Sequence, residues 1–265
     1  MRAVVNVATG RYLKGQQRLT AWCAKNSEDY FIWNDKSGLP LGSPAHEDVP
    51  YAFKAFALQA AVTHEWCKRI NQGRGPEALT LLWCDASVIP IRPLAPLWER
   101  IERDGYWIGN NGWTNYEWTA DSAYPELFSE GTWKAAETSA RAIWRDTNRS
   151  IPHVVATAFG VNVEHPTGKA ILAEYFRLAS QTKAFCGPWL NRNHVAKEER
   201  PVDSWAGERE SVCGPSDVRG HRHDQTALSV IAWGLGCQLT NSPDIFAYKG
   251  GEKESTILVA DATYV

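Results

Sequence analysis

The sequence predicts an α/β fold: a mostly parallel central sheet flanked by helices, in one domain spanning 1–265. Three observations predict it. Apolar runs of strand length alternate with stretches of helical period along most of the chain, the pattern of a sheet covered on both faces. One run, Ala78 to Trp83, is continuously apolar, as a central strand must be. No internal repeat, low-complexity tract or linker breaks the series.

Val4 to Ala8 reads as a buried first strand, broken by Thr9 and Gly10. Leu19, Trp22 and Cys23 give a helical stripe, and Tyr30 to Trp33 a second strand. Gly38 to Pro50 is a loop rich in Gly and Pro. From Tyr51 a long helix is expected, with Phe53, Phe56, Ala60, Thr63, Cys67 and Ile70 on one face. The strand ending at Trp83 delivers Cys84-Asp85-Ala86-Ser87 to its C-terminal end. Helices follow at Pro96–Arg103, Thr132–Trp144 and Pro166–Ala179, and strands at Tyr106–Ile108 and Val154–Ala158. Residues 184–222 show no periodicity and hold glycines, prolines and charges, the mark of a mobile functional loop. Asp224 opens a helix to Leu235, and Ile245–Tyr248 and Thr256–Val259 close the series as strands.

Twenty-eight basic against 30 acidic residues leave a net charge of −2, so no whole-molecule field draws the chain to nucleic acid or a lipid surface. The apolar stretch after Met1 is too short for a signal peptide or a membrane span. Six cysteines, at 23, 67, 84, 186, 213 and 237, form no CxxC pair and read as reduced core residues of a cytoplasmic protein. Thirteen tryptophans are more than a core needs only if some line a cleft.

Ligands of open α/β sheets bind at the carboxyl ends of strands. Three groups lie there. Thr9-Gly10-Arg11-Tyr12 would let a ligand approach the backbone, with Tyr12 stacking on a base and Arg11 meeting phosphate; an ordinary turn has the same composition. Asp85, at the end of a buried strand, would meet a cation bridging two phosphates, or simply cap the next turn. Gly220-His221-Arg222-His223-Asp224-Gln225 gathers two imidazoles, a guanidinium and a carboxylate before an apolar helix, although Asp224 is also a good N-cap. Between them, Gly109 to Trp118 is polar and aromatic. It would shape an acceptor site through Trp113 or Trp118, or form an anchored surface loop. His153, His165 and His194 stand alone and read as structural.

The ordered set Val4 to Tyr12, Pro50 to Lys54, Leu82 to Ser87 and His223-Asp224-Gln225 resembles GT-A glycosyltransferases, in particular small glycosyltransferase-like proteins of phage and bacterial genomes. Roughly residues 4 to 248 take part, and order and spacing carry the likeness rather than any single motif. The resemblance implies a single GT-A-like, Rossmann-like domain that moves a sugar from a nucleotide-diphosphate sugar to a hydroxyl acceptor. It implies that Ala8, Thr9, Gly10, Arg11 and Tyr12 hold the nucleotide and that Lys54 faces the donor. Asp85, Ala86 and Ser87 occupy the place of the DxD motif, which binds Mn²⁺ or Mg²⁺. Arg222 and Gln225 would contact the donor, and His221 or His223 the metal or a phosphate. Ser87 stands where that motif has a second carboxylate, and a hydroxyl is a weaker ligand. Asp224 is the first candidate for the catalytic carboxylate, with Asp121 and Glu117 as alternatives.

Two other readings stay open: a metal-dependent hydrolase built on His221, His223, Asp224 and Asp85, and a degenerate GT-A domain that only binds nucleotide or sugar. The acceptor classes are a glycan or a hydroxymethylated pyrimidine in DNA. The latter would call for a basic rim, supplied by Arg192, Lys197, Arg200, Arg219 and Arg222. The oligomeric state is not legible.

Overall fold

The computed structural model describes residues 1–73, 78–128, 137–191, 193–194 and 215–264. The first apolar run becomes β1 (Arg2–Ala8), buried from Ala3 onward. Helix α1 (Leu13–Lys25) leads to β2 (Asp29–Asn34), and α2 (Phe53–Asn71) to β3 (Thr80–Cys84), every residue of which is buried. After β4 (Val88–Pro90) come α3 (Ala95–Asp104) and β5 (Tyr106–Thr114). Short α4 (Tyr124–Leu127) and α5 (Glu137–Arg149) precede β6 (Pro152–Asn162), α6 (Pro166–Gln181) and α7 (His223–Gly234). Three short strands close the chain: β7 (Thr240–Asn241), β8 (Phe246–Tyr248) and β9 (Leu258–Ala260).

The main sheet has six strands in the order β2-β1-β3-β6-β5-β7; a second, of three, runs β4-β9-β8. Strands β2, β1 and β3 are mutually parallel, and β7 is parallel to β5. Strand β6 runs antiparallel to both its neighbours, β3 and β5, so the sheet is mixed. An apolar run reads alike in either direction, and only the chain path decides which way it is laid down.

Period-two alternation divides the core. Ala3, Val5, Val7, Leu81 and Trp83 point to one face, against Leu58, Tyr175 and Leu228 of α2, α6 and α7. Val4, Leu82 and Cys84 point to the other, against Leu19, Leu97 and Trp98 of α1 and α3 and Leu258 of β9. The result is a layered structure with helices on both sides of the sheet.

Helix α2 departs from the expected orientation. Its buried face carries Lys54, Ala55, Ala57, Leu58, Ala61, Glu65 and Arg69, whereas Cys67 is exposed and Ile70 is 60% exposed. Small alanines bring the helix close to the sheet, and the ion pairs of Lys54 and of Glu65 with Arg69 make charges tolerable on the inner face. The thiol of Cys67 is therefore not a core group, unlike those of Cys23 and Cys84.

The stretch read as a possible loop at 109–118 instead continues β5 to Thr114 and then turns through a single-turn helix, Asn115–Trp118. Thr114 and Glu117 close that turn with a reciprocal capping box. Of the segment expected to be mobile, 184–222, residues 192 and 195–214 lie outside the described residues, and with them Arg192, Lys197, Arg200 and Cys213. Its described flanks are packed: Ala184, Phe185, Asn191 and Val218 are buried.

Candidate functional site

The C-terminal ends of β1 and β3 and the first turns of α2 and α7 meet at one place. Lys54, at the head of α2, is only 3% exposed. Its ammonium lies 3.0 Å from Asp85 Oδ1 and 2.9 Å from Asp224 Oδ2, and donates to the Ala156 carbonyl of β6 at 3.0 Å. Three acceptors match its three protons. Burial works against that charge, but Asp224 and Asp85 more than reverse it, holding the lysine above its ordinary range.

Asp224 is almost wholly buried, and its Oδ2 also accepts from Tyr175 OH at 3.3 Å. Burial raises its pKa to about 6 against the pull of Lys54, with the Asp85 charge adding to the rise. Asp85 is the more open of the two, with 28% of its side chain accessible. Its Oδ1 also accepts from Trp83 Nε1 at 2.7 Å, so the last indole of β3 aims the carboxylate just beyond it. Tyr248 of β8 stands near this group: burial raises the pKa of its phenol, a hydrogen bond with Thr157 opposes the rise, and the Asp85 charge adds to it.

The loop after β1 forms the neighbouring wall. Gly10 takes φ 53°, and its N–H donates to Asp35 Oδ2 at 2.9 Å, tying this loop to the end of β2. Thr9, Gly10 and Arg11 are exposed, Tyr12 is half-buried, and the Arg11 guanidinium lies 5.2 Å from the Tyr12 ring. Beneath them, buried Asn6 donates to the Cys84 carbonyl at 2.7 Å, and Gln16 Nε2 donates to Asn6 Oδ1 and to the Trp33 carbonyl. This amide chain locks the ends of β1, β2 and β3 together. Gly15 lets α1 touch the turn that follows Asp85, since a Cβ there would stand within 1.9 Å of the Ala86 carbonyl oxygen.

The histidines behave differently from the metal-ligand reading. His221 Nδ1 accepts from the Ala120 N–H at 3.3 Å, and Nε2 donates to the Ala184 carbonyl at 3.0 Å. Both nitrogens are committed in one neutral tautomer, and burial lowers the pKa to about 4. Its task is to pin 184 to 120. His223 donates from Nδ1 to the Phe185 carbonyl at 2.9 Å and is held neutral, chiefly by burial. Among the described residues, no three His, Cys, Asp or Glu side chains form a metal-holding group. His221, with both ring nitrogens committed, has none left for a cation, and the positive group beside Asp85 within the chain itself is the Lys54 ammonium.

Other sequence candidates are placed elsewhere. Asp121 is held by Arg145 through both carboxylate oxygens. Glu117 is spent on the Thr114 cap. Gln225 donates to the Val154 carbonyl at 2.6 Å. Ala86 is buried, and the Ser87 carbonyl accepts from the Asp261 N–H at 2.9 Å. Arg222 lies between Trp118 and Trp189, its Cζ 4.1 and 3.7 Å from the two ring centres. His165 caps α6, His194 bonds the Ser216 carbonyl, and buried His153 bonds Asn115, as structural residues do. Sequence reasoning missed Tyr175, Trp83, Gln16, Trp189 and Tyr248. Trp83 was visible only as part of the strand before Asp85, Tyr175 only on the apolar face of the helix from Pro166, and Tyr248 only as the end of a closing strand, while Gln16 and Trp189 carried no signal.

No family model matches the chain, and no curated protein matches it. Three similar solved structures have these descriptions. One is a glycosyltransferase involved in glycosylation of the major capsid of PBCV-1, at 12% identity over 80% of this chain and 79% of that chain, TM-score 0.37. Another is the galactosyltransferase LgtC in complex with donor and acceptor sugar analogues, at 12% identity over 91% and 98%, TM-score 0.30. The third is an active-site mutant of LgtC, at 13% over 83% and 86%, TM-score 0.28. All three are glycosyltransferases. No helix among the described residues is long and apolar enough to cross a membrane.

Proposed function

We propose that this chain is a nucleotide-sugar-dependent glycosyltransferase with one catalytic domain, acting in the cytoplasm, where its free thiols stay reduced. One observation carries the reading: a buried ammonium, Lys54, bridges a strand-end carboxylate and a helix-head carboxylate where the parallel strands open to solvent. Transfer from a diphosphate donor requires stabilisation of the negative charge that develops on the leaving group. Lys54 fixes Asp85 and Asp224 in place, Asp85 would hold a divalent cation that neutralises the diphosphate, and Arg11 and Arg222 bring positive charge to the rim. The nucleotide lies along Ala8 to Tyr12, and the diphosphate over Asp85 and Lys54.

Asp224 shares one oxygen between an ammonium and a phenol at 4% exposure. Such a group fixes the lysine rather than reaching an acceptor hydroxyl, so we assign it a positioning role. Asp121 has both carboxylate oxygens held by Arg145 and is not free to reach an acceptor hydroxyl. Mass spectrometry of reactions with a panel of nucleotide sugars and acceptors tests the proposal. A sugar-sized mass gain on an acceptor is expected, and neither transfer nor donor hydrolysis across the panel overturns it.

The serine at 87 favours one second reading, a domain that binds nucleotide sugar without turning it over. Donor hydrolysis separates the two. The hydrolase reading is not favoured, because its histidines are spent on backbone carbonyls.

A further inference from the structure

Beside the Lys54 cluster runs a ladder of aromatic rings interleaved with cations. The Lys54 ammonium lies 5.1 Å from the Tyr51 ring centre, Tyr51 lies 5.6 Å from His223, and His223 stacks on Trp189 at 5.5 Å. Arg222 is clamped between Trp189 and Trp118. Arg219 continues the ladder, its Cζ 5.8 Å from the Trp118 ring and 4.1 Å from that of Trp113, which is 41% exposed. A neutral sugar binds aromatic faces, yet here guanidiniums cover the facing sides of these indoles. A guanidinium held over a ring face still carries N–H donors that can grip phosphate or carboxylate.

Arg219 is the better placed of the two for a second ligand. Its Nε is buried and makes no hydrogen bond. Among the described residues it pairs with Glu117, whose Oε1 is 3.7 Å away, and the other oxygen of Glu117 already accepts from Thr114 N and Oγ1. An anion's oxygen would remove the cost of that buried donor.

We propose that Arg219, with Arg222 behind it, recognises a single phosphate or carboxylate on the acceptor, making this an enzyme for acidic acceptors. The proposal rests on the glycosyltransferase reading of the adjoining cluster. A nucleic acid is the poorer fit. It needs a run of cations, whereas Glu117 and Asp217 lie among the arginines here and the chain carries net −2.

Direct binding tests it, with glucose 6-phosphate, glucuronate and glucose as acceptor-side probes, UDP and GDP as donor-side probes, and a ten-residue oligothymidylate. At least one acidic sugar should bind about tenfold or more tighter than glucose, the scale of a charge-assisted hydrogen bond. Which acid binds tells phosphate from carboxylate. Arg219→Gln should abolish the preference while nucleotide binding stays unchanged. Trp113→Ala, a change at an exposed ring, should weaken acidic-sugar binding several-fold, even if the glutamine variant does not fold. Equal binding of glucose and both acids, an intact preference in both variants, or oligothymidylate outcompeting both acids would overturn the proposal. Loss of nucleotide binding alone would instead sink the glycosyltransferase reading and leave the anion site standing.

Discussion

Charge placement decides chemistry at the scale of single residues. Lys54 is kept charged in a buried position only because two carboxylates and one carbonyl surround it. Lys54→Met should therefore cost about 3–5 kcal/mol of stability, since it strands buried Asp224 without its partner; urea denaturation measures this. Asp85→Ala should abolish transfer and weaken nucleotide-diphosphate binding, because it removes the carboxylate that would hold a divalent cation on the diphosphate; wild-type turnover in that variant, with EDTA or with Mn²⁺, would make Asp85 structural. Asp224 gives a pH signature of two opposite signs. Its pKa is raised to about 6 in the folded chain, chiefly by burial. Its contribution to stability is thus fully present below the ordinary aspartate value near 3.8 and is lost as pH rises through about 6. Activity runs the other way: protonation removes the negative partner that orients Lys54, so kcat should fall on the acid side of about pH 6. Asp224→Asn should fold, bind donor with little change in affinity, lose transfer by about a hundredfold or more and show no acid limb in the activity that remains. A glutamate-like residual limb in a pH–rate profile of that variant would assign the titration to another group.

At the scale of elements, close packing aims the site. Helix α1 reaches the turn after Asp85 only because residue 15 has no side chain. Gly15→Ala must push α1 away from Ala86, at a cost of about 1–3 kcal/mol. It should also weaken nucleotide binding, because α1 carries Gln16 and so holds the strand-end amide chain in register. Thermal melts and donor titrations check both effects, and an unshifted melt would show that α1 rides up without strain. The last turn before α7 works by the same logic. His221 staples 184 to 120, which fixes the level at which Arg222, His223 and Asp224 enter the site.

At the scale of the whole molecule, the proposed donor bridges elements from distant parts of the chain: the β1 loop, the head of α2, the end of β3 and the start of α7. A ligand that binds only this assembled site stabilises the whole cooperative fold, by about 2.7 kcal/mol at a hundredfold excess over Kd. Calorimetry should therefore show one unfolding transition that moves upward with the correct nucleotide sugar and does not move for Asp85→Ala. Two transitions, only one of them ligand-dependent, would divide the chain into separate units and contradict a single catalytic domain.

The sequence by itself determined the elements and the end of the sheet where chemistry gathers. Local periodicity writes strands such as Leu81 to Trp83, and a lone acid such as Asp85 at a strand end is visible because nothing apolar explains it. It also marked Lys54 and Asp224 separately. Only the tertiary structure decided that they share one ion-pair cluster, that α2 buries Lys54, Glu65 and Arg69 while Cys67 and Ile70 face water, and that β6 runs antiparallel. It also committed both nitrogens of His221 to backbone groups and set the Arg222 guanidinium against the Trp118 ring. The physical reason is common to all of these. Periodicity is set by neighbours in the chain, whereas the direction of a strand, the charge state of a buried group and the face a ring presents depend on partners that only folding brings together.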